Sequence, residues 1–243
     1  MPDEAIRQLT AWSFSRLKDY ERCPWMLWLK AGEKRDMSHV DMSAANRGTM
    51  VHDACEKFVI GEGDLTKEMS KFADYFVDIK SSYEAGDVTV EEDWGFNADW
   101  QTCDWFAKDI WCRMKLDNFR ITARNDNGEA VAGIPTDYKT GKKFGNEVTH
   151  NQQGQLYAIG SFFRYPTLEV VDVEFIYLDH GLTSKKKQYT REKAMKFVPM
   201  WQARAEKVTS DREFRPKPNK INCKWCAFGP QSGDSSCAWG VDG

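Results

Sequence analysis

The sequence predicts an α/β chain, and two observations carry that expectation. The run Arg113-Met114-Lys115-Leu116-Asp117-Asn118-Phe119-Arg120-Ile121 alternates along the chain, and Asn125-Asp126-Asn127-Gly128 after it is a strong hairpin-turn signal. The chain therefore folds back into a second strand that ends at Thr136-Asp137-Tyr138-Lys139-Thr140-Gly141. A helical stretch over 149–164 and an alternating, β-branched run over 170–178 follow, which is the strand, helix, strand order of a helix-covered sheet.

The elements follow in order along the chain. Ser13 is placed to cap a helix that runs to Cys23-Pro24, and 25–30 adds an apolar patch. Residues 31–43 are polar and read as a loop. From Ala44 a helix runs to Phe58 with Gly48, His52 and Glu56 on one face, four apart. A second helix is expected over 62–83, with Phe72, Phe76 and Ile79 at helical spacing. Between Glu84 and Asp104 stand seven acidic residues and no lysine or arginine, which reads as a solvated face around a strand at 88–94. Thr149 is placed to cap the helix to Arg164, on which Gln153 and Tyr157 share a face. Residues 188–190 form a short strand and 191–208 a helix. Lys185-Lys186-Lys187 is either the solvated tip of a turn or, with Lys142, Lys143 and Arg164, part of a groove that tracks phosphates.

The chain has 243 residues and a formal net charge of -3, which excludes indiscriminate binding of nucleic acid over the whole surface and leaves a local basic groove for any DNA contact. No apolar run is long enough to cross a bilayer, and the amino terminus lacks the layout of a signal peptide, so an intracellular, cytoplasmic protein with no membrane partner is expected. Seven cysteines without an export signal read as thiols or metal ligands. Cys55, Cys103 and Cys112 have apolar or aromatic neighbours and are expected to be small core residues. Cys223-x2-Cys226 and Cys237 make three ligands, one short of a tetrahedral set, and Cys23 is the natural fourth; four thiolates suit zinc as well as an iron-sulfur cube.

Side chains alternate faces along a strand, so Asp137 and Lys139 point one way and Tyr138 the other. The hairpin can bring Asp117 beside Asp137. Two carboxylates and a lysine converging there suit a hard divalent cation, with the ammonium left for a phosphate or a developing oxyanion. That chemistry points to a phosphodiester substrate.

Asp117, Asp137-Tyr138-Lys139 with Thr140-Gly141, and Gln153-x3-Tyr157, preceded by Ser13-x-Ser15, Cys23-Pro24 and Arg47-Gly48 with His52 behind it, resemble the motif series of the RecB-like branch of the PD-(D/E)XK nuclease superfamily. The resemblance spans roughly 13–237. It implies a restriction-endonuclease-like fold, a mixed central sheet flanked by helices, over a single nuclease domain, 1–243, with an amino-terminal helical segment 1–60, a core 84–210 and a cysteine-rich tail 211–243. It implies Mg²⁺- or Mn²⁺-dependent hydrolysis, with His52, Asp117, Asp137 and the Tyr138 carbonyl as ligands, Lys139 orienting water or offsetting charge, and Gln153 and Tyr157 positioning the strand. In the iron-sulfur members, similar to the CRISPR-adaptation and AddB-type nucleases, Cys23, Cys223, Cys226 and Cys237 would hold a 4Fe-4S cluster, in preference to zinc. The implied partners are single-stranded DNA or duplex ends and the proteins of recombination, replication or CRISPR adaptation. Lys115 or a neighbour departs from the pattern, standing where many relatives carry a glycine. A noncatalytic scaffold that keeps the fold is the rival, and the complete acid, acid and lysine set argues against it.

Overall fold

A computed structural model describes residues 7–141, 144–183 and 186–242, so Lys142, Lys143 and Lys185 of the expected phosphate groove lie outside the described residues. The chain divides into two compact units, Ser43–Val198 and the joined ends Met1–Met42 with Pro199–Gly243. The expected segment 1–60 thus divides after Met42, and the long helix that follows belongs with the sheet.

The unit Ser43–Val198 opens with α3 (Ser43–Ile60), then α4 (Ala73–Glu84), and continues with β2 (Val88–Phe96), β3 (Thr102–Cys103), β4 (Cys112–Arg124), β5 (Ala130–Lys139), α5 (Glu147–Arg164), β6 (Val170–Tyr177), β7 (Leu182–Thr183), β8 (Lys187–Thr190) and α6 (Arg191–Met195). The sheet runs β3-β2-β4-β5-β6-β7, with β8 also on β6. It is mixed because the hairpin β4–β5 is antiparallel whereas β5 and β6, joined through α5, are parallel. The expected turn closes that hairpin. Asn125 Oδ1 accepts from the amides of Asn127 and Glu129 at 3.0 and 2.9 Å, and Gly128 takes the left-handed φ of 80° that favours glycine.

Alternation along β5 directs neighbours to different layers. Tyr138 is buried in a cluster with Val51, Cys55, Phe76 and Ile79 of α3 and α4, while Asp137 faces α5. Helix α5 lies close on the sheet because it is notched. A Cβ on Gly154 would stand 2.9 Å from Val173 Cγ1, and one on Gly160 2.6 Å from Met114 Sδ. That closeness sets where Gln153 and Tyr157 reach.

Three expectations shift. The helix expected over 62–83 begins at Ala73 after a 3₁₀ turn, Ser70–Phe72, since Gly61, at φ 85°, breaks the chain away from α3. Helix α5 starts two residues before Thr149, with Asn146 in the capping position. The helix expected over 191–208 is two, α6 ending at Met195 and α7 (Val198–Ser210). Pro199 has no N–H for the carbonyl of Met195 and its ring crowds that carbonyl, so one continuous helix is excluded.

The other unit holds β1 (Trp12–Ser13), α1 (Phe14–Arg22), α2 (Pro24–Leu27), which continues as a π-helical turn Trp28–Gly32, most of α7, and α8 (Lys220–Lys224). Ser13 caps α1 as expected, its hydroxyl accepting from Arg16 N at 3.3 Å. Side chains from the two ends of the sequence bind one another. Trp12 stacks on Trp201 at 6.5 Å, Arg204 grips Glu21 through two hydrogen bonds of 2.7 and 2.8 Å, and Tyr20 donates to Asp211 at 2.7 Å. Arg22 and Asn222 each donate to the other's carbonyl, at 2.7 and 2.8 Å.

Candidate active site

The β4–β5 ladder pairs Asn118 with Thr136, so Asp117 and Asp137 are the next residues along the two strands. There a side chain takes over from the backbone. Asp117 Oδ2 accepts the Tyr138 amide at 2.5 Å, and its Oδ1 lies 2.7 Å from His52 Nδ1 of α3. Both Asp117 and Asp137 are buried. Burial pushes the Asp117 carboxyl up; the His52 hydrogen bond opposes this, the Asp137 charge adds to it, and the result lies above the ordinary carboxylate range. Burial alone would lower His52, but the hydrogen bond and charge of Asp117, with Asp137 and Glu91 beyond it, hold the imidazole above its usual value. The pair keeps its proton over a wider pH range than either group would alone.

Asp137 is held from the α5 side. Its Oδ1 accepts from Tyr157 at 2.7 Å and from Gln153 Nε2 at 3.1 Å, and Gln153 also donates to the Tyr157 oxygen at 2.6 Å. Burial, reinforced by the two nearby carboxylates, raises the Tyr157 phenol far above its ordinary value, so it serves as a neutral donor. Lys139 Nζ donates to Gln153 Oε1 at 3.0 Å and stands 2.5 Å from Asp137 Oδ2. That last contact has ion-pair distance but not hydrogen-bond geometry, so Asp137 Oδ2 is buried with no directed donor. An acid in that condition is suited to a cation.

His52, Asp117, Asp137, Tyr138, Lys139, Gln153 and Tyr157 are therefore brought into one network, by α3, β4, β5 and α5. Tyr138 contributes its backbone, since its ring turns away and its hydroxyl accepts from Asn118 Nδ2 at 2.8 Å. Of the expected phosphate groove, Lys186 lies 3.8 Å from Glu174 of β6, and Lys187 lies over the ring of Tyr189 on its own strand, β8.

One residue of the acidic run 84–104 does not belong to a solvated face. Among the described residues, ligand atoms of His52, Glu91 and Asp117 lie within 4.8 Å of one another. Nothing local in the sequence separates Glu91 from Glu92 and Asp93 beside it. The donor set, carboxylate oxygens with one imidazole, suits Mg²⁺ or Mn²⁺, and the 2.7 Å between His52 Nδ1 and Asp117 Oδ1 is near the roughly 3 Å edge of an octahedral Mg²⁺ shell.

In the other unit Cys23, Cys223, Cys226 and Cys237 line one cavity with Met26 and Leu29. The Lys217 amide donates to Cys23 Sγ at 3.4 Å. Among the described residues these thiols do not close to the 4.8 Å spacing that the acidic trio reaches. Cys55 and Cys112 are fully buried, as expected of core residues, whereas Cys103 on β3 is half-buried.

A family model described as the PD-(D/E)XK nuclease superfamily matches residues 11–231. No curated protein matches the chain. A solved structure described as the crystal structure of SSO0001 is similar over 98% of this chain and 90% of that one, at 13% identity and a TM-score of 0.45, a likeness too loose to carry an argument. No helix among the described residues is long and apolar enough to cross a membrane.

Proposed function

Because this chain belongs to the PD-(D/E)XK nuclease superfamily, whose members hydrolyse phosphodiesters with divalent metals, we propose that it is a RecB-like deoxyribonuclease that trims single-stranded DNA or DNA ends in recombination, repair, or phage or CRISPR DNA processing. The observation that carries this reading is the buried Asp137 Oδ2, without a directed donor, beside the Lys139 ammonium and one residue along from the Asp117–His52 pair.

His52, Asp117, Asp137 and the Tyr138 carbonyl are the residues that would hold Mg²⁺ or Mn²⁺. When bound, the ion acidifies the attacking water and neutralises the scissile phosphate. The chain's own part is orientation. The Tyr138 amide fixes Asp117 Oδ2, and Gln153 and Tyr157 fix Asp137 Oδ1, which leaves the second oxygen of Asp137 for the cation. Lys139, held by Gln153, has its charge placed where negative charge grows in the transition state. Nearly complete burial of the acids strengthens each of these interactions.

The same reading assigns a 4Fe-4S cluster to Cys23, Cys223, Cys226 and Cys237. Their shared cavity with Met26 and Leu29 and an N–H donor to sulfur support it. Iron and sulfide analysis of anaerobically purified protein, against zinc, decides that part.

The nuclease reading is tested with end-labelled single- and double-stranded DNA in Mn²⁺, Mg²⁺ or EDTA. Cleavage in the metals and none in EDTA is the expected result, and product sizes from each labelled end give polarity. Intact DNA of every kind in both metals would favour the scaffold reading.

A further inference from the structure

We propose that Glu91 is an additional protein ligand of the divalent cation, held in place by Lys115 until the cation arrives. The proposal rests on the nuclease reading only for the presence of a cation at His52 and Asp117.

Glu91 sits inside β2, between residues that pair Val90 with Asn118 and Glu92 with Leu116, so it lies across from Asp117. It has a left-handed φ of 47° there. A non-glycine residue in that conformation within a strand is strained, and such strain persists where the surrounding structure imposes it. The kink has a visible structural effect. Val88 and Val90 before it pack in the α3–α4 cluster, whereas Trp94 after it, of the same parity, packs beside Gly160 of α5. Re-aiming the strand in this way explains a left-handed residue but not a glutamate, because glycine would make the same bend with less strain.

The ion pair does not explain the glutamate either. Glu91 Oε2 lies 2.6 Å from Lys115 Nζ, yet the lysine side chain is 60% exposed, and a pair with one such partner contributes little to stability. The glutamate side chain is only 13% exposed and turns inward, so that its ligand atom joins those of His52 and Asp117 within 4.8 Å. Imidazole and carboxylates then converge from α3, β2 and β4. Among the described residues, Lys115 is the lysine that pairs with Glu91. A divalent ion would take over that charge, releasing the exposed ammonium toward solvent and a substrate phosphate.

The test is calorimetric titration of Mn²⁺ into the full chain cleared with EDTA, alongside melting curves without metal. Glu91→Gln and Glu91→Gly should each weaken Mn²⁺ binding by about tenfold or more. Glu91→Gly should melt at or above the wild-type temperature, because it relieves the left-handed backbone. Lys115→Met should tighten Mn²⁺ binding in the wild-type background, and by much less when combined with Glu91→Gln, where only its charge on Asp117 is left to remove. Wild-type Mn²⁺ affinity in both Glu91 variants would overturn the proposal, as would a wild-type chain that binds no Mn²⁺. A chain that binds Mn²⁺ through Glu91 but leaves DNA intact would uphold the ligand and reject the nuclease reading, so the two fail separately.

Discussion

The acidic site and the thiol cavity are assembled in different ways. The first is drawn from 52–157, inside one unit, and its geometry is fixed by strand register and by a helix notched at Gly154 and Gly160. Its side chains already hold one another through Asp117–His52 and Asp137–Tyr157. The second joins Cys23 to residues two hundred positions later, and its thiols line a cavity among apolar side chains. A site built on sheet register can lose one side chain and keep its frame. A site that closes the two ends of a chain depends on the group it holds. Removing residues should therefore cost activity in the first and stability in the second.

The largest expected effect is on catalysis. Asp117→Ala should lower cleavage of end-labelled DNA by about three orders of magnitude and abolish Mn²⁺ binding, while iron content stays at the wild-type level. Next is Cys23→Ala. Linking chain segments this far apart is worth on the order of 4–5 kcal/mol in the chain-entropy model, so loss of the proposed cluster should lower the melting temperature by roughly 10 °C or more. Iron and sulfide analysis should show Cys23→Ala empty and Cys112→Ala loaded; full occupancy in Cys23→Ala removes it from the ligand set. Smaller again is Gly154→Val, whose Cβ meets Val173 at under 3 Å and should cost about 1–3 kcal/mol by chemical denaturation. An unchanged midpoint would mean that α5 is not seated by that notch.

The smallest effect is a pH dependence. Asp117 and His52 both hold protons above their ordinary values, so their stabilising contribution to the metal-free protein is complete below the unfolded pKa of each. It is lost as pH rises through the higher folded values, from about 4 to above about 6.5. The melting temperature of wild type relative to Asp117→Asn, in EDTA, should therefore fall as pH rises across that window. Mn²⁺ affinity should rise across the same window, since binding expels those protons. A difference that grows with pH in EDTA would reverse the sign assigned to Asp117.

Much of the acidic site was legible in the sequence because strand alternation and the Asn-Gly turn are local signals. They place Asp117 beside Asp137, Tyr138 on the far side, and Gln153 with Tyr157 on one helical face. The Asp117–His52 contact needed the resemblance, since nothing local ties a histidine on α3 to a strand sixty-five positions away. Glu91 was not legible. Its role depends on a left-handed kink that no residue type announces, and its neighbours Glu92 and Asp93 have the same charge. The break before Pro199 was readable from the proline, yet the helical spacing on either side masked it. The late start of α4 followed from glycines at 61 and 63, whose weight against helix is local, while the apolar spacing beyond them suggested a longer one.

Whether Asp137, Tyr138 and Lys139 form the catalytic strand is decided by Lys139→Ala. Cleavage of end-labelled single-stranded DNA in Mn²⁺ is measured together with Mn²⁺ binding and melting temperature. Lys139 contributes charge where the transition state needs it but donates no ligand atom, so the account predicts cleavage at background with Mn²⁺ binding and melting close to wild type. Cleavage at the wild-type rate would contradict it and leave the noncatalytic scaffold as the better reading.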